Sequence, residues 1–287
     1  MKQIIDSLSV FGLGLIGGSF ALALRKEFPD VKIYGVDQNP QHAQTAMTLN
    51  IIDEIKSKDD QEILESDLII LAIPVSAIHD ILPGLLTKIP KKTVIIDTGS
   101  TKSSICQNVK KHPNRSQFVA AHPIAGTEYS GPEAAFLNLF KDKKNIICEF
   151  ELCNDIAKDR AKWLFDLAGM TNIFMDAESH DKHLAYVSHL SHISSFMLGL
   201  TVLDIEKNEE NILNLAGSGF ASTVRLAKSS PEMWTPIFEQ NKLHLSKALE
   251  EYIWQLRNFH DQLKSGNSGE LKALMTKANG IKKVLQD

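Results

Sequence analysis

The sequence has little of what marks secreted, membrane-bound or nucleic-acid-binding proteins. Its three cysteines, Cys106, Cys148 and Cys153, form no C-x-x-C pair and are odd in number, which favours reduced thiols. No apolar run is long enough to cross a bilayer, and the N-terminus lacks the regions of a signal peptide. The net charge of −4 comes without a block of basic residues. We therefore expect a cytoplasmic protein with no membrane or nucleic-acid partner.

A glycine-rich turn near the N-terminus is the first functional signal. Gly12, Gly14 and Gly17 have G-x-G-x-x-G spacing between a short apolar run and a helical pattern. In a dinucleotide-binding turn the first glycine permits the sharp bend, the second lets a pyrophosphate approach the backbone, and the third lets helix and strand pack closely. The phosphates would then lie against the amides that open the helix, including those of Leu15 and Ile16.

Asp37 ends the next predicted strand, residues 32–36, and supplies an acid where this kind of fold binds the ribose hydroxyls. The same carboxylate would repel a 2′-phosphate, so NAD is predicted rather than NADP. The alternative is a glycine-rich turn that binds nothing, and the strand, helix and acid together argue against it.

The length and pattern of the chain indicate two domains. With 43% hydrophobic and 23% charged residues, the 287-residue chain has the composition of a soluble globular protein. Strands alternate with helices through residues 1–176, which predicts an α/β domain with a Rossmann-type, mostly parallel sheet. Residues 177–287 show helical patterns only and predict an all-helical second domain. Segments 97–102 and 122–128 both follow strands, so we expect them to meet at the ligand-binding edge of the sheet.

Two helical patterns characterise the second domain. A small polar stripe follows one face of the predicted 184–203 helix and consists of Ser188, His192, Ser195 and Gly199. Such a stripe faces either a close neighbour or a polar cleft. Residues 245–263 carry a heptad-like apolar seam for packing against another helix. Short seams are more often intrachain core, but this domain is too small to bury both helices alone, which favours a homodimer.

Two side chains are candidates for chemistry on their residue type and position. His122 follows a strand at the ligand-bearing edge, and histidine accepts a proton near neutral pH, although a histidine that only caps the strand end is an equal alternative. Arg225 lies on a short predicted helix, residues 221–228, and its guanidinium suits a carboxylate, although a surface arginine is the usual case. A serine cap and a first-turn proline then begin another predicted helix, which carries Trp234.

Four histidines of the second domain have spacings that a metal site could use. His180 and His183 are three residues apart, as are His189 and His192. There is no H-E-x-x-H motif and no cysteine nearby, so no metal site is predicted. Core histidines and one cleft-facing hydrogen-bond donor are the expected roles, and the polar stripe assigns the second role to His192.

Five segments together resemble the prephenate/arogenate dehydrogenase family. They are VFGLGLIGGSFALAL, DTGSTK, AHPIAGTEYSGPEAA, VSHLSHISSF and GSGFASTVRLAKSSPEMW, in the family's order between residues 10 and 240. AHPIAGTE with the downstream R-x-A-K-S-x-P-x-M-W is far more specific than the glycine motif. The resemblance implies hydride transfer from ring C4 of a cyclohexadienol to NAD while the ring carboxylate leaves as carbon dioxide. It also implies a helical dimerisation domain and a homodimer.

The resemblance implies roles for individual residues. His122 matches the catalytic histidine that hydrogen-bonds the 4-hydroxyl and takes its proton. Ser100 matches the serine that helps to orient that histidine and the substrate near the nicotinamide. Four further residues match substrate-binding positions. Arg225 matches an arginine that binds a substrate carboxylate, and His192 matches a substrate-site histidine. Glu128 matches an acidic group that gates the pocket, and Trp234 matches an aromatic contributed near the site, across the dimer.

Two departures from the family limit what the resemblance implies. No chorismate mutase helices precede the glycine turn, and nothing after residue 265 resembles a βαββαβ regulatory domain. A fused mutase and tyrosine feedback through such a module are therefore not expected. Competitive inhibition by tyrosine at the active site stays open, as does the choice between prephenate, a keto acid, and arogenate, an amino acid.

Oxidation of prephenate is the leading hypothesis, and two rivals remain. A β-hydroxyacid dehydrogenase has a similar domain order but uses a lysine on its long second-domain helix, and residues 184–203 contain none. A non-catalytic NAD-binding sensor would be expected to lose His122 or Arg225. Both are present in this sequence.

Overall fold

The computed structural model describes residues 2–127, 129–207 and 212–284, and it contains an eight-stranded sheet followed by helices. The strands are β1 (Ser7–Phe11), β2 (Lys32–Val36), β3 (Glu54–Ile55), β4 (Leu68–Leu71), β5 (Val94–Asp97), β6 (Phe118–Pro123), β7 (Lys144–Cys148) and β8 (Thr171–Met175). Their order is β3-β2-β1-β4-β5-β6-β7-β8. Neighbours are parallel except β6 and β7, which are antiparallel. The predicted mostly parallel sheet is confirmed.

The helices up to α6 alternate with the strands of the sheet, and the helices from α7 onward follow the last strand. They are α1 (Leu15–Glu27), α2 (Pro40–Thr48), α3 (Gln61–Leu64), α4 (Val75–Lys88), α5 (Ser103–Val109), α6 (Asp155–Leu167), α7 (Ala177–Leu184), α8 (Leu190–Glu206), α9 (Ser218–Thr223), α10 (Pro231–Gln240), α11 (Lys242–Lys264) and α12 (Ser268–Ala278). After β8 the described residues form helices only, so the predicted all-helical region that follows the sheet is confirmed.

Two predicted helices differ from those observed. The 184–203 pattern is part of a longer helical run in which a π-helical turn, Ala185–His189, joins α7 to α8. The predicted helix at 221–228 is instead the end of α9 followed by a 3₁₀ turn, Arg225–Lys228. Periodicity alone does not separate these tighter and wider turns from an α-helix.

Strand β4 shows why the central strands are continuous apolar runs. Leu68 and Ile70 pack into the core on one face of the sheet, and Ile69 and Leu71 pack into the core on the other. All four are fully buried. Because helices cover both faces, every position of the strand is apolar. Burying each such side chain contributes about 1.5–3 kcal/mol.

Many apolar side chains of the helical half are exposed in the single chain. Along the seam of α11, Leu245 is buried, but Leu256, Phe259 and Leu263 are 52%, 40% and 58% exposed. On α8, Leu203 is 54% exposed. The helical half thus leaves apolar surface available for a further contact. No helix in the described part of the chain has the length and hydropathy to cross a membrane.

The three cysteines are buried and unpaired. Cys153 donates from Sγ to the carbonyl oxygen of Phe118 at 3.2 Å. Burial raises the pKa of Cys148 to about 12. These thiols therefore stay protonated and unreactive near neutral pH, as expected of core residues.

Candidate active site

The turn between β1 and α1 has the shape that a dinucleotide needs. Gly12 has a φ of +86°, and a Cβ there would lie 2.2 Å from the carbonyl oxygen of Ala72. A Cβ at Gly17 would lie 2.1 Å from the carbonyl oxygen of Gly12. At Gly14, by contrast, the nearest atom to a Cβ would be the amide nitrogen of Gly131 at 3.9 Å. Gly12 is therefore required for the bend and Gly17 for the packing of helix against strand. Gly14 leaves the backbone open to the approach of a pyrophosphate.

The N-terminus of α1 and the end of β2 complete this site. Gly14 is the N-cap of α1, so it supplies no side chain to the first-turn amides of Leu15 and Ile16. Such amides bind anions. Asp37 accepts a hydrogen bond at Oδ2 from the amide of Leu13 at 2.8 Å, which holds the acid against the turn. A carboxylate has further lone pairs, so it can still accept from ribose hydroxyls. These residues fit a pyrophosphate and its ribose.

His122 lies in β6, close to the carboxyl end of the strand, and only 9% of it is exposed. Its Nδ1 lies 2.8 Å from Nε2 of His180, and Nδ1 of His180 lies 2.7 Å from Oδ1 of Asp181. Burial, together with the nearby His180 and Lys102, holds the pKa of His122 well below its usual value. The imidazole is therefore neutral near pH 7 and able to accept a proton.

A buried ion pair joins the ends of β5 and β6. Lys102 Nζ donates to both carboxylate oxygens of Asp97, at 2.6 and 2.7 Å, and to the carbonyl oxygen of Ala121 at 2.7 Å. Asp97 Oδ1 also accepts from the amide of Ala121 at 2.9 Å. Because Ala121 precedes His122, the pair fixes the backbone that carries the histidine. Removing one partner of such a buried pair costs about 3–5 kcal/mol.

The same contacts bring together the two segments expected at the sheet edge. The segment 97–102 meets β6 at Ala121, directly before the segment 122–128. Ser100 lies in this loop, three residues beyond the end of β5, and is half-buried. Glu128 lies outside the described residues.

Asp181 connects three elements around His122. Its carboxylate accepts from the amides of Lys102 at 2.8 Å and Ser103 at 2.9 Å, where α5 begins. Its carbonyl oxygen accepts from Asn241 Nδ2 at 2.7 Å, between α10 and α11. Although burial opposes ionisation, hydrogen bonds from His180 and from these amides hold the pKa of Asp181 below its usual range. Asp181 is therefore an ionised carboxylate within the protein.

Trp234 and His192 form a second cluster, made within one chain. Their rings stack with centroids 3.5 Å apart and an interplanar angle of 28°. Trp234 therefore lies beside His192 of the same chain. Nδ1 of His192 donates to the carbonyl oxygen of Ser188 at 3.0 Å. Burial lowers the pKa of His192, so its Nε2 is left as an acceptor.

Arg225 opens the 3₁₀ turn that packs against α8. Its charge is close enough to contribute to the lowered pKa of His192. Ser195 Oγ accepts from the amide of Ala227 at 3.0 Å, and a Cβ at Gly199 would lie 3.7 Å from Cβ of Ala227. The polar stripe therefore meets a close neighbour at Ser195 and Gly199, and it contributes a polar ring at His192.

Sequence reasoning missed the contact between His180 and His122. The signal was the adjacent pair His180 and Asp181 just after the last strand, because a carboxylate beside a histidine commonly orients its ring. The spacing of the four histidines predicts only a core role for His180, because it carries no information on contacts with β6. Within residues 2–127, 129–207 and 212–284, no group of three or more His, Cys, Asp or Glu side chains is arranged to hold a metal ion.

Comparison with known families gives two adjacent matches. Residues 20–171 match the model of the prephenate dehydrogenase nucleotide-binding domain. Residues 176–277 match the model of the prephenate dehydrogenase dimerization domain.

Individual relatives agree with these matches. The chain is 31% identical to cyclohexadienyl dehydrogenase of Zymomonas mobilis, over 91% of this chain and 90% of that protein. It is 32% identical to prephenate dehydrogenase of Bacillus subtilis, over 89% of this chain and 70% of that protein. The crystal structure of prephenate dehydrogenase from A. aeolicus, in complex with hydroxyphenyl propionate and NAD+, is similar with a TM-score of 0.90, 31% identity and complete coverage of both chains.

Proposed function

The chain belongs to the prephenate dehydrogenase family, and on that basis we propose that it converts prephenate to 4-hydroxyphenylpyruvate by NAD-dependent oxidative decarboxylation. The observation that carries this proposal is His122: a buried, neutral imidazole at the ligand-bearing edge of the sheet, with a small exposed fraction left for a substrate. A neutral histidine is the form that can take the proton of a hydroxyl group as it is oxidised.

NAD is the cofactor, and when bound it accepts the hydride. The glycine turn, with Gly12, Gly14 and Gly17, holds the pyrophosphate against the amides of Leu15 and Ile16. Asp37 then accepts hydrogen bonds from the ribose hydroxyls and disfavours a 2′-phosphate.

His122 acts as the general base of the reaction. When it takes the proton of the substrate 4-hydroxyl, electron density from the oxygen helps the C4–H bond to break as hydride leaves. Loss of the ring carboxylate as carbon dioxide leaves its bonding electrons in the ring, and the oxygen takes the proton back from His122 to give the aromatic phenol. A positioned base of this kind contributes about 10²- to 10⁴-fold in rate. Ser100, in the loop beyond β5, orients the hydroxyl and the histidine.

Three further side chains bind the substrate. Arg225 binds a carboxylate, for which its planar guanidinium provides paired donors. His192, fixed by its bond to Ser188, presents Nε2 to a polar group of the substrate. Trp234 packs on His192 and supplies an apolar wall for the ring. Glu128 is assigned the gating of the pocket on the family resemblance alone.

The two domains have different roles in this proposal. Residues 1–176 bind the cofactor, and residues 177–287 bind the substrate and form a homodimer. The dimer is supported by the matched dimerization domain and by the exposed apolar seam of α11. Covering such side chains in a second copy of the chain removes apolar surface from water.

A turnover assay tests the proposal. Purified protein is mixed with NAD and either prephenate or arogenate, NADH is followed by its absorbance, and the assay is repeated with NADP. Fast turnover of prephenate with NAD supports the proposal, and preference for arogenate would reassign the substrate. If no NADH forms with either substrate while calorimetry shows that NAD binds, the proposal is rejected in favour of a non-catalytic sensor or of an enzyme that oxidises another hydroxyacid.

A further inference from the structure

A line of three side chains runs from His122 into the protein interior. His122 Nδ1 contacts His180 Nε2 at 2.8 Å, and His180 Nδ1 contacts Asp181 Oδ1 at 2.7 Å. His180 is fully buried and Asp181 is 1% exposed. The proposed function uses only the first member of this line, so the roles of the other two have to be argued from their hydrogen bonds.

The position of each proton follows from the carboxylate outward. Asp181 is ionised and can only accept, so the hydrogen between Asp181 and His180 belongs to Nδ1 of His180. Burial lowers the pKa of His180 despite its carboxylate neighbour, so this ring is neutral and its Nε2 carries no proton. The contact with His122 therefore requires His122 Nδ1 to be the donor.

The geometry points to His180 and Asp181 as positioning residues that hold His122 in the Nδ1–H tautomer, with the lone pair of Nε2 free to act as base. In this tautomer Nε2 takes the substrate proton, and the imidazolium that forms is stabilised through Nδ1–H, His180 and the negative charge of Asp181. A carboxylate that orients a catalytic histidine has this effect in other enzymes. The inference rests on the proposed function for its reaction step, but the tautomer is a property of the protein alone.

The other polar groups around His122 do not provide the same support. Lys102 comes from the loop after β5, but its ammonium is already directed to Asp97 and to the carbonyl oxygen of Ala121. His189, from the π turn, accepts at Nδ1 from Asn241 at 3.1 Å. Both groups disfavour a positive charge on His122. His183 has the same unfavourable effect on His180. Among these groups, only the carboxylate of Asp181 favours a positive charge on His122, and it acts through the hydrogen bonds of His180.

A spectroscopic experiment tests the tautomer without any substrate. The ring nitrogens of histidine are isotopically labelled, and long-range nitrogen–proton correlations are recorded on the full-length protein near neutral pH. Signals are assigned by their loss in His122→Gln and His180→Gln. We expect both rings to be neutral with the proton on Nδ1. A proton on Nε2 of His122, or a charged His180 that donates to His122, would overturn the inference.

Kinetics of matched variants test the role. His180→Leu removes the acceptor and should lower kcat about 10²-fold, with little change in KM. His180→Gln places an amide oxygen where it can accept from Nδ1–H, and it should recover part of this loss. The control is His183→Gln, one turn further along α7 and exposed, which should stay within about twofold of the wild type.

The pH dependence of kcat/KM separates positioning from mere folding. A charged His180 would lower the pKa of His122, but the neutral His180 ring instead accepts from Nδ1–H and so stabilises the charged form of His122. The loss of this acceptor in His180→Leu should therefore move the acid limb of the profile to lower pH by about one unit. A purely structural role would leave the limb in place while lowering the fraction of active enzyme, and that result would reject the inference. If the wild-type protein turns over neither prephenate nor arogenate, the proposed function fails, while the spectrum still decides the tautomer.

Discussion

Asp37 accepts a hydrogen bond at 2.8 Å from the amide of Leu13, which lies between the first two glycines of the dinucleotide turn. The other carboxylate oxygen accepts from the amide of Asn39, also at 2.8 Å. The acid that we assign to the ribose therefore also links the ends of β1 and β2. A change at Asp37 acts on cofactor recognition and on the shape of the turn, and these two effects can be separated.

Replacing Asp37 by serine should weaken NAD binding and reduce the preference for NAD over NADP. The loss of negative charge removes repulsion of the 2′-phosphate as well as bonds to the ribose. Calorimetry with both cofactors measures the ratio of the two dissociation constants, with Asp30→Ser, an exposed acid before β2, as the control. Equal weakening of NAD and NADP would show that the residue only shapes the turn.

His122→Asn should lower kcat by about 10²- to 10⁴-fold, because the amide cannot take a proton from the 4-hydroxyl. KM for prephenate and the affinity for NAD should change little. Steady-state kinetics and calorimetry measure these quantities, and His260→Asn, an exposed position on α11, is the control. Undiminished turnover would mean that His122 is not the base.

Arg225→Ala should raise the KM for prephenate by about 10- to 10²-fold, since a charge-assisted bond to a carboxylate is lost. The effect on kcat should be smaller, and Arg225→Lys should fall between the two because it keeps the charge without the planar pair of donors. Lys228→Ala removes a charge from the same 3₁₀ turn and serves as the control. If both alanine variants have the same KM, Arg225 is not the carboxylate ligand.

The stability of the protein should fall as the pH falls below about 6.5. Burial lowers the pKa of His189 to about 4, so the unfolded chain binds a proton in this range while the native state does not. Stability is therefore complete above the unfolded pKa, and by about pH 4 the loss from His189 is on the order of 3 kcal/mol. His122, His180 and His192 act in the same direction.

Urea unfolding at about pH 7.5 and about pH 5 measures this loss. His189→Phe should lose less stability between the two conditions than the wild type, while His79→Gln, at a partly exposed position of α4, should match the wild type. An equal loss in the wild type and His189→Phe would refute the assignment to His189.

Phe259→Asp should break the proposed homodimer, because it places a charge in the exposed half of the α11 seam. Light scattering should give twice the chain mass for the wild type and the mass of one chain for the variant. Arg257→Asp changes charge on an exposed part of the same helix, off the seam, and should leave the dimer intact. A monomeric wild type, or an unaffected variant, would place the contact elsewhere or exclude it.

The parts predicted correctly from the sequence are those encoded by local pattern. The turn between β1 and α1 follows from a glycine spacing within a few residues, and the buried strands appear as short apolar runs, as at 68–71. The polar stripe containing His192 was readable because helical periodicity repeats over a few turns. β3 escaped prediction, since two residues are too few to show a period.

The sequence by itself determined the fold class, the cofactor turn and the identity of the candidate base, because turn geometry, periodicity and residue chemistry are local properties. The tertiary structure decided which groups support that base. His122 and His180 are 58 residues apart in the chain, and Thr101 and Gln240, which hydrogen-bond at 2.6 Å, are 139 apart. Such contacts form only when parallel strands end at one edge and the helical half packs against it. The proton positions around His122 are therefore a property of the folded chain.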